Sequence, residues 1–215
     1  MLKIYGRATS SNVQLVMWAV GELGLDHERL DYGHLYGGLD TPEFGALNPH
    51  RKVPVLQDGD LVVWESMAIL RYLAARYGDG QAFWPSDPVD RAGVDKWAEW
   101  GKNELCQSFT VPIFWSRVRT AAADRDEMAL TQAVKQFDEY LLLLADQIGG
   151  QPYVCGDALS VADIVIGHLL FRWFTMDINR AENPVVMSYY QRLKKRSEYQ
   201  THVMVPYDSL WAEGA

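Results

Sequence analysis

Pro54 constrains this chain more than any other residue. It opens the apolar run "PVLQ" (54–57), which the turn "DGD" (58–60) joins to a second run, "LVVW" (61–64). The two runs read as a β-hairpin across Asp58-Gly59. Proline has no N–H to give a sheet ladder, so it is tolerated at the first residue of a strand only where that position is not bonded into the ladder. A cis Val53-Pro54 bond would turn the chain sharply and present the backbone of Val53 outward; a trans bond would leave an ordinary edge strand. Behind the hairpin, Glu65-Ser66 precedes Ile69, Leu70, Tyr72 and Leu73, the spacing of a helix that runs to Gly78.

Upstream, "LKIY" is a short strand ended by Gly6. Val13, Val16, Met17, Val20 and Leu23 then mark one face of a helix with Ser10, Ser11 and Asn12 at its start. "DHERLDY" reads as a second strand, and "TPEFGAL" as a short helix with Thr41 as cap and Pro42 at its first position. Residues 1–78 therefore predict an α/β unit in the order βαβ, then αββα.

Residues 79–88, with two prolines and a glycine, read as a linker. From 89 to 215 no period-2 segment stands out, so this part is expected to be all-helical. One long helix carries Trp97, Trp100, Leu105 and Phe109, with Pro112 as a kink or end. A second spans about 125–148, with Ala133, Phe137, Tyr140, Leu141 and Leu144 inward and Gly149-Gly150 as the stop. In "YVCGDALSVADIVIGHLLF", Ser160 and Asp163 form a capping box. The nearly all-apolar helix that follows, through Ile164, Val165, His168, Leu169 and Phe171, belongs in a core.

The formal net charge of −8 argues against a nucleic-acid partner, and "RLKKR" (192–196) reads as a solvated helix end. Cys106 and Cys155 form no CxxC or His cluster, so neither a disulfide framework nor a metal site is expected. No apolar stretch reaches the roughly 18 residues of a membrane span, and no signal peptide is visible. The expectation is a soluble protein of a reducing cytoplasm.

Strand, polar helix start, "VPVL" and the "ES" before a helix together resemble the glutathione-binding domain of the soluble glutathione transferases, in a bacterial theta-like or nu-like form. "GDxxSxAD" (156–163) resembles the helix-start motif of the same family's C-terminal domain, where it is structural. The resemblance implies a thioredoxin-like N-terminal domain with a cis proline, followed by a helical domain that supplies the second-substrate pocket. It implies that Val53, at the Val53-Pro54 pair, holds the cysteinyl backbone of glutathione. Glu65 and Ser66 would take its γ-glutamyl end, and Lys52 the glycyl carboxylate, with Arg7 and Arg51 as further candidates for that carboxylate. The chemistry fits: a helix N-terminus at Ser66 favours a carboxylate, and Glu65 offers an anion to the α-ammonium.

Such an enzyme must turn a thiol into a thiolate, and one donor aimed at sulfur is the usual device. Ser10 is the first candidate and Asn12 its rival, with Ser11 and Tyr5 also in reach. Trp97, Trp100 and Phe109 are candidate walls for the second substrate, with Phe114 and Trp115 beside them. The implied activity is a detoxifying glutathione transferase, a homodimer, acting on a small apolar electrophile. Peroxidase, dehalogenase or ether-cleaving chemistry on the same site remains open, as does a non-catalytic protein-interaction module. The missing CxxC disfavours a thioredoxin-like reductase.

Overall fold

The computed structural model describes residues 1–213. β1 (Leu2–Tyr5), β2 (His27–Leu30), β3 (Val55–Asp58) and β4 (Leu61–Trp64) form one sheet in the order β2-β1-β3-β4. β1 is parallel to β2 and antiparallel to β3, while β3 and β4 form the expected hairpin, with Val55 opposite Trp64. Joining the parallel pair requires a crossover, which α1 (Ser11–Glu22) provides. The segment "DHERLDY" keeps only four strand residues, because Tyr32 already turns into a loop with a short 3-10 turn, His34–Tyr36. α2 (Pro42–Leu47) starts as its sequence predicts, with the Thr41 hydroxyl accepting from the Phe44 amide at 3.2 Å. Pro54 stands one residue outside β3, and the Val53-Pro54 peptide is cis. α3 (Ser66–Tyr77) follows β4, and its Tyr72 and Tyr77 hydroxyls both donate to Asp58 in the hairpin turn.

The spacing in α1 predicts one buried face, yet every residue from Val13 to Val20 is buried, Gln14 included. The reason is that the helical half covers its other side. α8 (Val161–Gly167) and α11 (Ser197–His202) pack on α1 together with α3, and α8 also touches α3. Trp18 meets the Tyr199 ring edge-on at 4.8 Å, and Glu22 takes Nε and Nη2 of Arg196 at 2.7 and 2.5 Å. The two halves thus share one core through α1.

From Pro88 onward the elements are helical. α4 (Pro88–Trp100), capped by Asp87, continues through a π-helical turn at Gly101–Leu105 into α5 (Cys106–Phe109). A second π-helical turn at Thr110–Trp115 leads into α6 (Ser116–Val118). Pro112 therefore neither ends nor breaks the rod: its missing N–H falls within a widened turn, the usual accommodation for an interrupted ladder. Gly101 lies against α8, where a Cβ would stand 2.7 Å from Ile166 Cγ1.

α7 (Glu127–Ile148) is capped by Asp126 and stopped by Gly149 at φ 52°. Its buried stripe is Leu130, Val134, Phe137, Leu141, Leu144 and Ile148. Ala133 and Tyr140, expected inward, flank that stripe half-buried. At the start of α8, Asp163 accepts from the Ser160 amide (2.8 Å) and hydroxyl (2.7 Å), the Val154 amide (2.9 Å) and the Tyr189 hydroxyl (2.8 Å). Burial pushes this carboxyl's pKa up and those four donors pull it down. The continuous apolar helix predicted here is instead broken between α8 and α9 (Leu170–Thr175). The His168 imidazole takes the Val165 carbonyl through Nδ1 at 2.7 Å, and the Leu169 amide turns to Ile166. α10 (Pro184–Leu193) precedes α11.

Candidate functional site

The β1–α1 turn, the Val53 loop and the start of α3 converge beside the helical half. Gly6, at φ 150°, is squeezed between them: a Cβ there would stand 2.5 Å from Val13 Cγ2 and 3.1 Å from Val53 Cβ. Val53 bonds no other described residue through its N–H or C=O. Because Val55 pairs with Trp64 in an antiparallel register, Val53 and Pro54 are carried alongside Glu65 and Ser66. Glu65 is exposed and takes φ 71° and ψ 116°, a conformation that costs a residue with a Cβ on the order of 1–3 kcal/mol. Its carboxylate has no partner among the described residues, while Ser66 behind it is buried.

The three polar residues at the start of α1 have different fates. Ser10 is the N-cap, yet its hydroxyl makes no cap bond. Ser11 Oγ lies 2.9 Å from His168 Nε2. Nδ1 of that ring must donate to the Val165 carbonyl, so Nε2 carries no proton and Ser11 donates to it. Ser11, expected among the sulfur donors, is therefore spent on the domain interface. Asn12 is exposed, and its Oδ1 accepts from Lys102 Nζ at 2.6 Å. The same ammonium is 3.3 Å from Ser66 Oγ. Lys102 thus ties the N-termini of α1 and α3 together with a cation, a role that no motif in the sequence marks.

The remaining candidates also separate. Lys52 is exposed with its ammonium unpartnered among the described residues, whereas Arg51 is used up on the carbonyls of Leu39 and Thr41, both at 3.0 Å. Tyr5 donates to Gln57 at 2.8 Å, so its hydroxyl is engaged on the sheet. Cys106 and Cys155 are free, with thiol pKa values pushed up by burial to about 11, too high for thiolate chemistry. Ser160 and Asp163 sit in the core of the helical half and hold a helix start. Among the described residues, no group of three or more His, Cys, Asp or Glu could hold a metal ion, and no helix is long and apolar enough to cross a membrane.

The aromatic walls expected for a second substrate separate: Phe109 and Phe114 are buried, whereas Trp115 is 43% exposed. Phe109 is 1% exposed and packs on Phe137 at 5.3 Å, a core position. Trp97 and Trp100 meet edge-on at 5.2 Å, and Trp100 continues to Tyr140. Trp97 lines a cavity of about 660 Å³ with Gly93, Gln147 and Cys155, to which no residue at the start of α1 contributes. The aromatic spacing identified a helix face correctly but not what that face meets.

Two family models match the chain: "Glutathione S-transferase, N-terminal domain" over residues 1–75 and "Glutathione S-transferase, C-terminal domain" over residues 127–192. Glutathione S-transferase GstB of Escherichia coli (strain K12) is 33% identical over 208 residues, covering 96% of this chain and 99% of that protein. The chain belongs to the glutathione S-transferase family. Among solved structures, a theta class glutathione S-transferase from Xanthomonas axonopodis pv. citri, with glutathione bound, is 40% identical. It aligns with a TM-score of 0.89 over 95% of this chain and 98% of that one. A glutathione transferase of Bombyx mori, BmGSTD1, is 25% identical with a TM-score of 0.85 over 97% of this chain and 95% of that one. The family's two-part fold, a thioredoxin-like domain with a four-stranded mixed sheet and a helical domain, is the architecture described above.

Proposed function

We propose that this glutathione S-transferase relative binds glutathione along Val53 and Pro54 and ionises its thiol with Ser10. The thiolate then attacks a small electrophile bound at the face of the helical half. The observation that carries this reading is the division of labour at the start of α1: Ser11 and Asn12 are engaged, and the Ser10 hydroxyl alone is free. Val53 offers its unpaired N–H and C=O to the cysteinyl backbone. Ser66 and the α3 N-terminus receive the γ-glutamyl carboxylate, Glu65 its α-ammonium, and Lys52 the glycyl carboxylate. The positive φ of Glu65 supports this, since backbone strain of this kind clusters at ligand-holding positions.

The energetics suit the roles. A free cysteine thiol titrates near 8.5, and bringing it to about 6.5 requires about 3 kcal/mol of preference for the thiolate. A hydroxyl donating to an anion contributes about 1.5–3 kcal/mol and the α1 N-terminus up to about 1. The electrophile gains a C–S bond as its leaving group departs with the bonding pair, and proximity to the oriented thiolate supplies the rate. The protein acts as a homodimer in the cytoplasm, a reading supported by the family resemblance and by two unpaired cysteines suited to a reducing compartment.

Calorimetry tests the reading. Wild type binds glutathione, and Glu65→Ala weakens binding at least about tenfold, the loss of one charge-assisted contact. No binding by correctly folded wild type would overturn it.

A further inference from the structure

Three guanidinium groups gather around the β1–α1 turn that carries Ser10. Arg7 begins the turn, and the Ser10 amide bonds its carbonyl at 3.1 Å. Arg172, on α9, is 4% exposed and donates through Nη2 to the Thr9 carbonyl at 2.7 Å. Arg119, at the end of α6, is close enough to depress the affinity of Arg7 for its proton, as burial does first. None of the three is bonded to a carboxylate among the described residues, and the buried Nε atoms of Arg7 and Arg172 have no partner at all.

That arrangement contrasts with five other arginines, which are paired with acids, while Arg51, Arg91, Arg180 and Arg192 are spent on backbone carbonyls. The chain carries 28 acidic against 20 basic side chains, and Arg29, Arg71, Arg117, Arg125 and Arg196 each have a carboxylate partner. Leaving cations half or fully buried beside one another, without an anion, is costly unless something else neutralises them. Burial lowers the Arg172 pKa to about 10, with Arg7 adding to the effect. His34, across the turn, is also pushed below its ordinary value by burial and by Arg7 and Arg119. Two of the three are stacked on rings: Arg172 lies 4.4 Å over the Phe114 ring and Arg119 4.7 Å over Trp115. Arg172 spends its Nη2 on the Thr9 carbonyl. Arg119, held on its ring, has no side-chain partner among the described residues and keeps its N–H fork at the edge, the geometry that grips a carboxylate in two places.

We infer that the second substrate of this enzyme carries a carboxylate, seated on Arg7 and Arg119 beside the thiolate, with the buried Arg172 adding its charge from behind the turn. The inference rests on the transferase reading above and gives its acceptor a charge. An aryl chloride bearing a carboxylate fits: its ring lies along Trp115, and its anion meets the guanidiniums. The thiolate forms the C–S bond at the carbon that holds chlorine, chloride leaves with the C–Cl pair, and the arginines remain protonated throughout. The thiol proton has already gone to solvent on ionisation.

The test compares 4-chloro-3,5-dinitrobenzoate with 4-chloro-3,5-dinitrobenzamide, an anionic and a neutral acceptor of nearly one shape. Each kcat/KM, at saturating glutathione, is divided by the uncatalysed rate constant. Wild type prefers the benzoate by at least about tenfold, the worth of one charge-assisted hydrogen bond, and the preference shrinks as salt rises. Arg119→Gln and, separately, Arg7→Gln reduce that ratio by about tenfold. A wild-type ratio near one, or a ratio unchanged in both variants, overturns the inference while leaving the transferase reading in place. It is overturned too if both variants slow the two acceptors alike and weaken glutathione binding in calorimetry, which assigns the cluster to the glycyl carboxylate. Turnover of neither chloride by folded wild type defeats the transferase reading and this inference with it.

Discussion

Acid charges a histidine of the unfolded chain well before it charges His168 in the folded protein. The imidazole is 1% exposed, donates through Nδ1 to Val165 and accepts from Ser11 through Nε2. Burial first, then the nearby Lys102 and Arg172 cations, lower its pKa from 6.5 to about 3, against the raising effect of the Val165 carbonyl. The sign follows from linkage. Between those two values the unfolded state binds a proton that the folded state refuses, so stability falls as pH falls. At about 1.4 kcal/mol per pH unit, this one residue removes about 2 kcal/mol between about pH 7.5 and about pH 5. His168→Gln can keep a donor for Val165 and an acceptor for Ser11 but cannot titrate. Urea unfolding at each pH, read as free energy, then separates this effect from that of every other acid-sensitive group. Wild type loses about 2 kcal/mol more than the variant over that window. Parallel losses in the two proteins would refute the assignment of a neutral, buried imidazole at the domain interface.

Two further perturbations probe the frame and the site. Asp163→Ala strands the buried amides of Val154 and Ser160 and the Tyr189 hydroxyl, so stability falls by at least about 3 kcal/mol and Tm by roughly 10 °C; a calorimetric loss of less than about 1 kcal/mol would contradict that accounting. Lys102→Met removes the ammonium between Asn12 and Ser66. Glutathione affinity, by calorimetry, drops about tenfold, while stability in urea changes by less than about 1 kcal/mol because the group is partly exposed.

What the sequence disclosed was set by the range of the interactions involved. Pro54, the Asp58-Gly59 turn, Thr41 with Pro42, and Ser160 with Asp163 each act within a few residues, so their spacing alone located a strand, a hairpin and two helix starts. The roles of Lys102 and His168 arise from partners 90 and 157 residues away, and no local pattern foretells them. Ser11 looked like Ser10 for that reason: both suit a helix start, and only the arrival of His168 removes one from contention. The aromatic spacing of Trp97, Trp100 and Phe109 reported a helix face, but the packing of α7 against that rod made Phe109 core. The break between α8 and α9 was hidden because an imidazole captured a carbonyl inside an otherwise uniform apolar run. The arginines around the β1–α1 turn come from three separate elements, so their lack of acidic partners among the described residues could be read only after folding had brought them together.

The central claim is that the Ser10 hydroxyl makes the thiolate. Ultraviolet titration of the thiol of bound glutathione, in wild type and in Ser10→Ala, addresses it directly. The account predicts that both proteins bind glutathione and that the thiol pKa rises by about 1–2 units in the variant, the loss of one hydrogen bond to an anion. An unchanged pKa in a variant that still binds would contradict it and move the donor elsewhere at the start of α1.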